Sequence, residues 1–452
     1  MVEIISLVPD AQVFISGLGT LSILIIAYCV AKVIYNLYLH PLRKFPGPML
    51  WASSALPAAL NNVSGKPHIK LLDLHRQYGE VVRIGPNELA FAHADAWKEI
   101  CGHLKHGQHE HGKDPKYADE SLDKSLISTS RERHGPMRRT LAHAFSARAM
   151  ADQQPLINRY INLFLQKISE RCNNGTVALD MTDWYEFMTF DMIGDLAFGE
   201  SFGCLEKEKA HPWVNILFDS LKFLPWLQAI NDFPFFSILK PSYFVLLMPR
   251  DILRKRQDSI EFSKASLGKR LSSPITRPDF VDAMLAAKGG YSMSELEMVD
   301  NSVLLTTAGS ETTATTLTAT TYFLGTHPEV LAKLSTEIRS SFKNEEEINI
   351  NSVQNLPYML AVLKEVMRVY PPVPIALVRR AAPGGAEIAG RYIPEGTTLG
   401  IWQYALYHLS SNFLCPDEFI PDRWLDDQRF ANDCKDAHQP FSYGPRNCIG
   451  MK

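Results

Sequence analysis

Phe441-Ser442-Tyr443-Gly444-Pro445-Arg446-Asn447-Cys448-Ile449-Gly450 sets one cysteine in a tight, glycine-bracketed loop beside an arginine and an aromatic ring. A cysteine sulfur is a strong metal ligand only as the thiolate, which needs backbone N–H donors and nearby positive charge to stay unprotonated. Gly444 and Gly450 let the backbone curl close to the sulfur. Arg446, two residues before Cys448, is placed to pair with a propionate, and Phe441 to pack between loop and porphyrin, so the stretch reads as a thiolate ligand loop for haem iron. A buried free thiol in an ordinary turn is the commoner fate of a lone cysteine. It would require Phe441, Gly444, Arg446 and Gly450 to fall at their offsets by chance.

A second informative stretch lies upstream. Ser292-Met293-Ser294-Glu295 reads as a capping box opening a helix that runs to about Leu324, roughly 50 Å at 1.5 Å per residue. At its centre stands Ala308-Gly309-Ser310-Glu311-Thr312-Thr313. Glycine destabilises a helix interior by roughly 0.5 to 1 kcal/mol relative to alanine, so Gly309 predicts a close approach to the backbone, for which a flat haem with bound dioxygen is the candidate. The Thr312 hydroxyl can bond back to the Ala308 carbonyl or to a water. With the Glu311 carboxylate it forms a proton path, which the reductive activation of dioxygen needs in a dry site. The plain alternative is a threonine-rich buried helix with one incidental acid.

Pro357 opens a shorter helix that ends before Pro371-Pro372 and carries Glu365 and Arg368 three residues apart, on one face. Alone that pair says little. It gains weight from Phe419-Ile420-Pro421-Asp422-Arg423-Trp424, which precedes the cysteine loop.

Together these segments resemble the cytochrome P-450 haem-thiolate monooxygenases of the microsomal type. The loop fits F-x-x-G-x-R-x-C-x-G, the helix centre fits [AG]-G-x-[DE]-T-[TS], and 419–424 fits F-x-P-x-R-[FW], with Glu365 and Arg368 as E-x-x-R. The resemblance implies a fold that is mainly α with a minor β region, preceded by one N-terminal transmembrane helix. It implies haem b with Cys448 as axial ligand, and Glu311 and Thr312 in proton delivery. It also implies a structural triad of Glu365, Arg368 and Arg423. The spacing of His134 and Arg138 matches a W-x-x-x-R propionate contact, with histidine where tryptophan is usual. Arg379 is the second propionate partner implied, with Arg380 as the alternative, and Val373, Ile375 and Leu377 would line the substrate side.

By the same resemblance the function is oxidation of an apolar small molecule with O2. Electrons would come from NADPH through a separate cytochrome P-450 reductase, with cytochrome b5 as a further donor. Tyr38-Leu39-His40-Pro41-Leu42 and Asp191–Gly199 look most like filamentous-fungal members of secondary metabolism, with terpenoid or polyketide substrates. A haem-thiolate isomerase or dehydratase is disfavoured by the intact Glu311-Thr312 pair. Family members continue past their cysteine into a helix and hairpin, whereas Ile449, Gly450, Met451 and Lys452 follow here. The expectation is a domain, 49–452, lacking its usual C-terminal end. Its alternative is a non-catalytic membrane protein with poor haem retention.

Composition narrows the field elsewhere. With 46 basic and 49 acidic residues among 452, and a net charge of -3, nothing favours a nucleic-acid partner. Seven scattered cysteines fit reduced thiols better than a disulfide framework. His103, His106, His109 and His111 lack an accompanying cysteine or carboxylate cluster and read as a solvated loop rather than a metal site. The chain is free of charge from Ala11 to Ala31, long enough for a hydrocarbon core of about 30 Å. Lys32, Arg43 and Lys44 follow it, which predicts a short lumenal tail at 1–10, an anchor at 11–31 and a cytosolic domain on the endoplasmic reticulum membrane. The prolines of 32–48 predict a stiff hinge. Short β signals lie near 81–84, 88–91, 377–380, 387–388 and 397–401 within a helical remainder. The aromatic stretch 216–248 reads as a lid, a monotopic membrane contact or plain core helices.

Overall fold

The computed structural model describes residues 11–451 except 104–108, 116–123, 234–249, 276 and 287–290. The chargeless N-terminal run forms the helix Ala11–Ile34. With the turn that follows, it gives one segment, Gly19–Leu39, long and apolar enough to cross a membrane, at mean hydropathy 1.8 over its window. From Leu21 onward its apolar side chains stay bare, Ile23 at 68% and Leu24 at 62%.

The proline-rich segment after it is fastened down rather than standing off as a hinge. Pro41 opens a 3-10 turn, Pro41–Lys44, and Leu42 is fully buried. The Arg83 N–H donates to the Pro46 carbonyl at 2.7 Å, and the Arg83 guanidinium donates to the Asn36 carbonyl at 2.9 Å. A Cβ on Gly47 would lie 2.3 Å from the Arg83 carbonyl oxygen, so only glycine lets the two backbones meet there. Buried donors and acceptors that would otherwise be unpaired bind the segment to the first strand.

That strand, Val81–Gly85, starts a five-stranded sheet. It pairs antiparallel with Glu88–Phe91, which pairs parallel with Thr398–Ile401. Arg379–Arg380 then joins Thr398–Ile401 antiparallel, and Gly112–Lys113 adds the edge. A separate hairpin joins Ala386–Ile388 to Arg391–Ile393. The sheet carries one apolar cluster with the helix Asp95–Cys101. A second cluster belongs to the helices and centres on Met181–Phe198 packed along Glu295–Thr326. The molecule is therefore mainly α with a minor sheet, as the sequence predicts.

Several boundaries differ from the sequence reading. The long helix is Glu295–Thr326, and its capping box is Ser294 with Glu297, not Ser292 with Glu295. Glu297 is held there by the Ser294 N–H at 2.8 Å and by the Tyr291 hydroxyl at 2.8 Å, contacts that a Glu295 cap would forgo. The strand Arg391–Ile393 carried no alternating signal, and Gly112–Lys113 is only two residues. His111 is buried, its Nδ1 accepting from the Ala382 N–H at 3.1 Å, so it is not part of a solvated loop. Of the stretch 216–248, Pro212–Asn231 is helical and 234–248 lies outside the described residues.

Close packing within the helical cluster rests on one small residue. A Cβ on Gly194 would fall 2.5 Å from the ring of Phe202, which is itself stacked on Trp213 at a centroid distance of 5.1 Å. Gly194→Ala should destabilise the fold by about 1–3 kcal/mol through overpacking. Gly268→Ala, where nothing lies within 4 Å, should leave stability unchanged or raise it. Thermal unfolding of the two variants side by side checks this.

Candidate active site

The cysteine loop is fixed before its sulfur is considered. Gly444 sits at φ 77°, and a Cβ there would stand 1.9 Å from the Cys101 carbonyl oxygen. Glycine is thus demanded twice, by backbone conformation and by the helix Asp95–Cys101 behind it. The Cys448 N–H donates to the Phe441 carbonyl at 2.7 Å and closes the loop, with Phe441 half-buried. Arg138 donates from Nη1 to the Asn447 carbonyl and from Nη2 to Asn447 Oδ1, both at 2.6 Å. Ile449 packs into the helical cluster. Gly450 is under no such constraint, since a Cβ there would make an ordinary 3.9 Å contact with Cys448 Sγ. The Cys448 thiol itself is exposed.

Around this loop the chain gathers positive charge. His134, in the helix Arg131–Leu141, is buried, and its pKa is lowered to about 3 by burial and then by Arg446, Arg138, Lys113 and Arg379. It is therefore a neutral ring, able to donate one hydrogen bond but not to carry charge near pH 7. Arg446 donates from Nε to Glu110 Oε1 at 3.0 Å and from Nη1 to the Thr129 carbonyl at 3.1 Å. Arg379 is delivered by its strand, buried at 9% exposure, and its Nη1 has no partner among the described residues. It lines a small cavity with Leu377, Trp97, Cys101 and Ser442 of the cysteine loop. The alternative Arg380 instead meets Asp114 at 3.2 Å.

On the long helix the Thr312 hydroxyl donates to the Ala308 carbonyl at 2.7 Å, and Ala308 is exposed although it lies mid-helix. Glu311 is held protonated more readily than a free carboxyl by burial, and its Oε2 has no partner among the described residues. Gly309 also has a close neighbour in the protein. A Cβ on it would meet Ile193 Cδ1 at 3.2 Å, so a neighbouring helix approaches it.

Glu365, Arg368 and Arg423 come together at 0–1% exposure. Arg368 donates to Glu365 from Nε at 2.9 Å and from Nη2 at 2.8 Å. Arg423 Nε adds a third bond at 2.8 Å, Trp424 Nε1 a fourth at 2.8 Å and the Ile420 N–H a fifth at 3.0 Å. Arg423 also reaches Asp433 Oδ2 at 2.5 Å.

These residues fit a haem. The unpaired buried Nη1 of Arg379, with Arg138 and Arg446 beside His134, suits a group with anionic arms. Leu377 at 52% and Ile375 at 42% exposure are large apolar side chains suited to covering by a flat apolar body. Cys448 offers the one soft donor of the loop.

A sequence profile described as cytochrome P450 matches residues 45–452. The chain belongs to the cytochrome P450 family. It is 46% identical over 430 residues to a trichothecene C-15 hydroxylase of Fusarium sporotrichioides, covering 94% of this chain and 86% of that one. It is 43% identical over 442 residues to an averantin hydroxylase of Dothistroma septosporum, covering 97% and 81%. A cytochrome P450 monooxygenase of Aspergillus oryzae, astJ, is 40% identical over 430 residues, covering 94% and 85%. This P450 is thus an oxidoreductase of the monooxygenase kind, related to enzymes of fungal secondary metabolism.

Sequence reasoning missed four groups at the P450 site. Asn447, adjacent to the cysteine, could have been suspected from position alone. Glu110, Thr129 and Cys101 could not, because each meets the loop across more than 300 residues with no motif to mark it. Arg423→Ala would leave Glu365 and Asp433 short of a buried countercharge, and should cost about 3–5 kcal/mol. Urea unfolding of the variant measures it, and a loss below about 1 kcal/mol would contradict a buried role.

Proposed function

We propose that this P450 is a membrane-anchored monooxygenase that hydroxylates an apolar small molecule of terpenoid or polyketide origin, and that Cys448 would hold haem b through its thiolate. The observation that carries the reading is the Cys448 loop, clamped by Arg138 and Gly444 with its thiol exposed beside a cationic wall. Haem, when bound, supplies the redox centre at which dioxygen is activated, and a thiolate ligand favours cleavage of the O–O bond.

The chain's own residues supply the rest. Arg379 offers its unpaired Nη1 to a propionate, while Arg446 and Arg138 add positive charge and the His134 ring a neutral donor. Phe441 would pack between the loop and a bound porphyrin. Glu311 holds a proton more readily than an exposed acid, and Thr312 can turn its hydroxyl from the Ala308 carbonyl to pass that proton on. Val373, Ile375 and Leu377 exclude water and orient an apolar substrate. Glu365, Arg368 and Arg423 hold the segment leading to the loop. The names of two relatives, a trichothecene C-15 hydroxylase and an averantin hydroxylase, support C–H hydroxylation.

The chain has no G-x-G-x-x-G fingerprint, which supports electron supply from a separate NADPH-cytochrome P450 reductase, with cytochrome b5 as a second donor. The apolar Gly19–Leu39 segment supports a single-pass anchor in the endoplasmic reticulum, with the catalytic domain cytosolic.

Wild-type protein should give the red-shifted Soret band of a thiolate-ligated ferrous carbonyl complex, and Cys448→Ala should lose both band and haem. An alanine variant that kept the band would exclude Cys448. Thr312→Ala should keep its haem yet divert reducing equivalents from product to peroxide. Equal product per NADPH in the variant and wild type would remove Thr312 from proton delivery.

A further inference from the structure

The helices Met181–Phe198 and Glu295–Thr326 form the most extensive helix pair among the described residues. They run antiparallel. Gly309 faces Ile193, the Ser310 hydroxyl donates to the Thr189 carbonyl at 3.3 Å, and the Tyr185 hydroxyl shares a 2.8 Å hydrogen bond with Thr321. Glu186 stands next to Tyr185 and one turn before Thr189, while Glu311 follows Ser310. A carboxyl-bearing residue of each helix thus stands next in sequence to a seam contact. Neither has a cation as ion-pair partner among the described residues, and Glu311 Oε2 is buried without a hydrogen bond.

Like charges brought together in a poorly solvated seam disfavour double ionisation, which favours a proton on one of the two carboxyl groups. We propose that Glu186 is the outer member of this pair and recharges Glu311 with protons drawn from solvent. The inference rests on the proton-delivery role proposed for Glu311. Glu186 acts through Glu311 and is a positioning residue rather than a catalytic one.

The charges facing Glu186 are consistent with the assignment. Its pKa is raised to about 7 by burial first, then by Glu311 from the facing helix and by Asp183 and Asp180 from its own. Asp180, the N-cap, and Asp183 are exposed and lie at three-residue spacing before Glu186, on the solvent side of it. The step is balanced: the Glu186 carboxyl gives its proton to the Glu311 carboxylate, and the Glu186 carboxylate takes one back from hydronium or water at the Asp183 end. No other bond is made or broken.

Two measurements on haem-loaded wild type, Glu186→Gln and Glu186→Asp test this. The first, thermal stability against pH, needs no turnover. The folded state holds a proton on Glu186 that the unfolded chain releases, so wild-type stability should be greatest at low pH from this group and fall between about pH 4.5 and about 7. Glu186→Gln should remove that fall. The second measurement is product formed per NADPH across the same pH range. Glu186→Gln should lower it by about tenfold, less than the roughly 100-fold or more expected of a directly acting acid, and flatten its pH profile. Glu186→Asp should restore most of it.

A glutamine variant that keeps the wild-type pH dependence of stability overturns the pair. A variant that changes stability but leaves coupling and its pH profile untouched overturns the relay. A wild type without turnover overturns the monooxygenase reading and the relay with it, while the stability curve still decides whether the carboxyl pair exists.

Discussion

The Glu365 carboxylate is the point on which the rest of this structure hangs. It accepts five N–H bonds, from two nitrogens of Arg368 and from Arg423, Trp424 and the Ile420 backbone. A buried charge is tolerated only when paired and fully hydrogen-bonded, and here the requirement is met by side chains that are themselves tied elsewhere. Arg368 extends to the carbonyls of Tyr407, Pro416 and Glu418, so one guanidinium sets the path of a segment with little regular structure. That segment then hands its position on. Trp97 Nε1 donates to the Ala437 carbonyl at 3.1 Å and the Gln439 N–H to the Tyr407 hydroxyl at 3.0 Å, just before the chain enters the cysteine loop.

The long helix solves a different problem. It crosses a large apolar cluster with many polar side chains, and several of its threonine hydroxyls are satisfied locally, although Thr318 Oγ1 is buried with no partner among the described residues. Thr306, Thr307, Thr312, Thr316, Thr320 and Thr321 each donate to the carbonyl four residues back. Such back-bonding lets hydroxyls lie in a dry environment without distant partners. Glu311 lacks this recourse, its Oε2 being buried with no hydrogen-bond partner among the described residues.

The sequence discloses most where a local rule admits few residues. Gly444 and Cys448 are legible because backbone conformation and ligand chemistry both act within ten residues, and the Pro357–Val369 helix because proline marks its start. Gly309 is legible as a close approach, whereas Ile193 as its neighbour is not, since periodicity shows that a face is crowded and not by what. Glu110 and Thr129, which occupy Arg446, come from a segment with no motif, and their role exists only once a strand edge and a helix start have been brought together. The fastening of 35–48 to Arg83 was invisible for a related reason. Prolines predict stiffness, while docking depends on acceptors supplied by another element.

That fastening bears on how the enzyme meets other molecules. A domain hung from a loose tether tumbles, and a docking patch on it must be found by rotation about every axis. With Leu42 buried and Pro46 and Asn36 bonded to Arg83, the stalk and the domain turn as one body. If the Ala11–Ile34 helix lies in a bilayer, the domain keeps a fixed tilt to the surface and spins about little more than the membrane normal. Orientation is the main factor that holds association below the diffusion limit. Any partner confined to the same membrane at a matching height would meet the right face after a one-dimensional search.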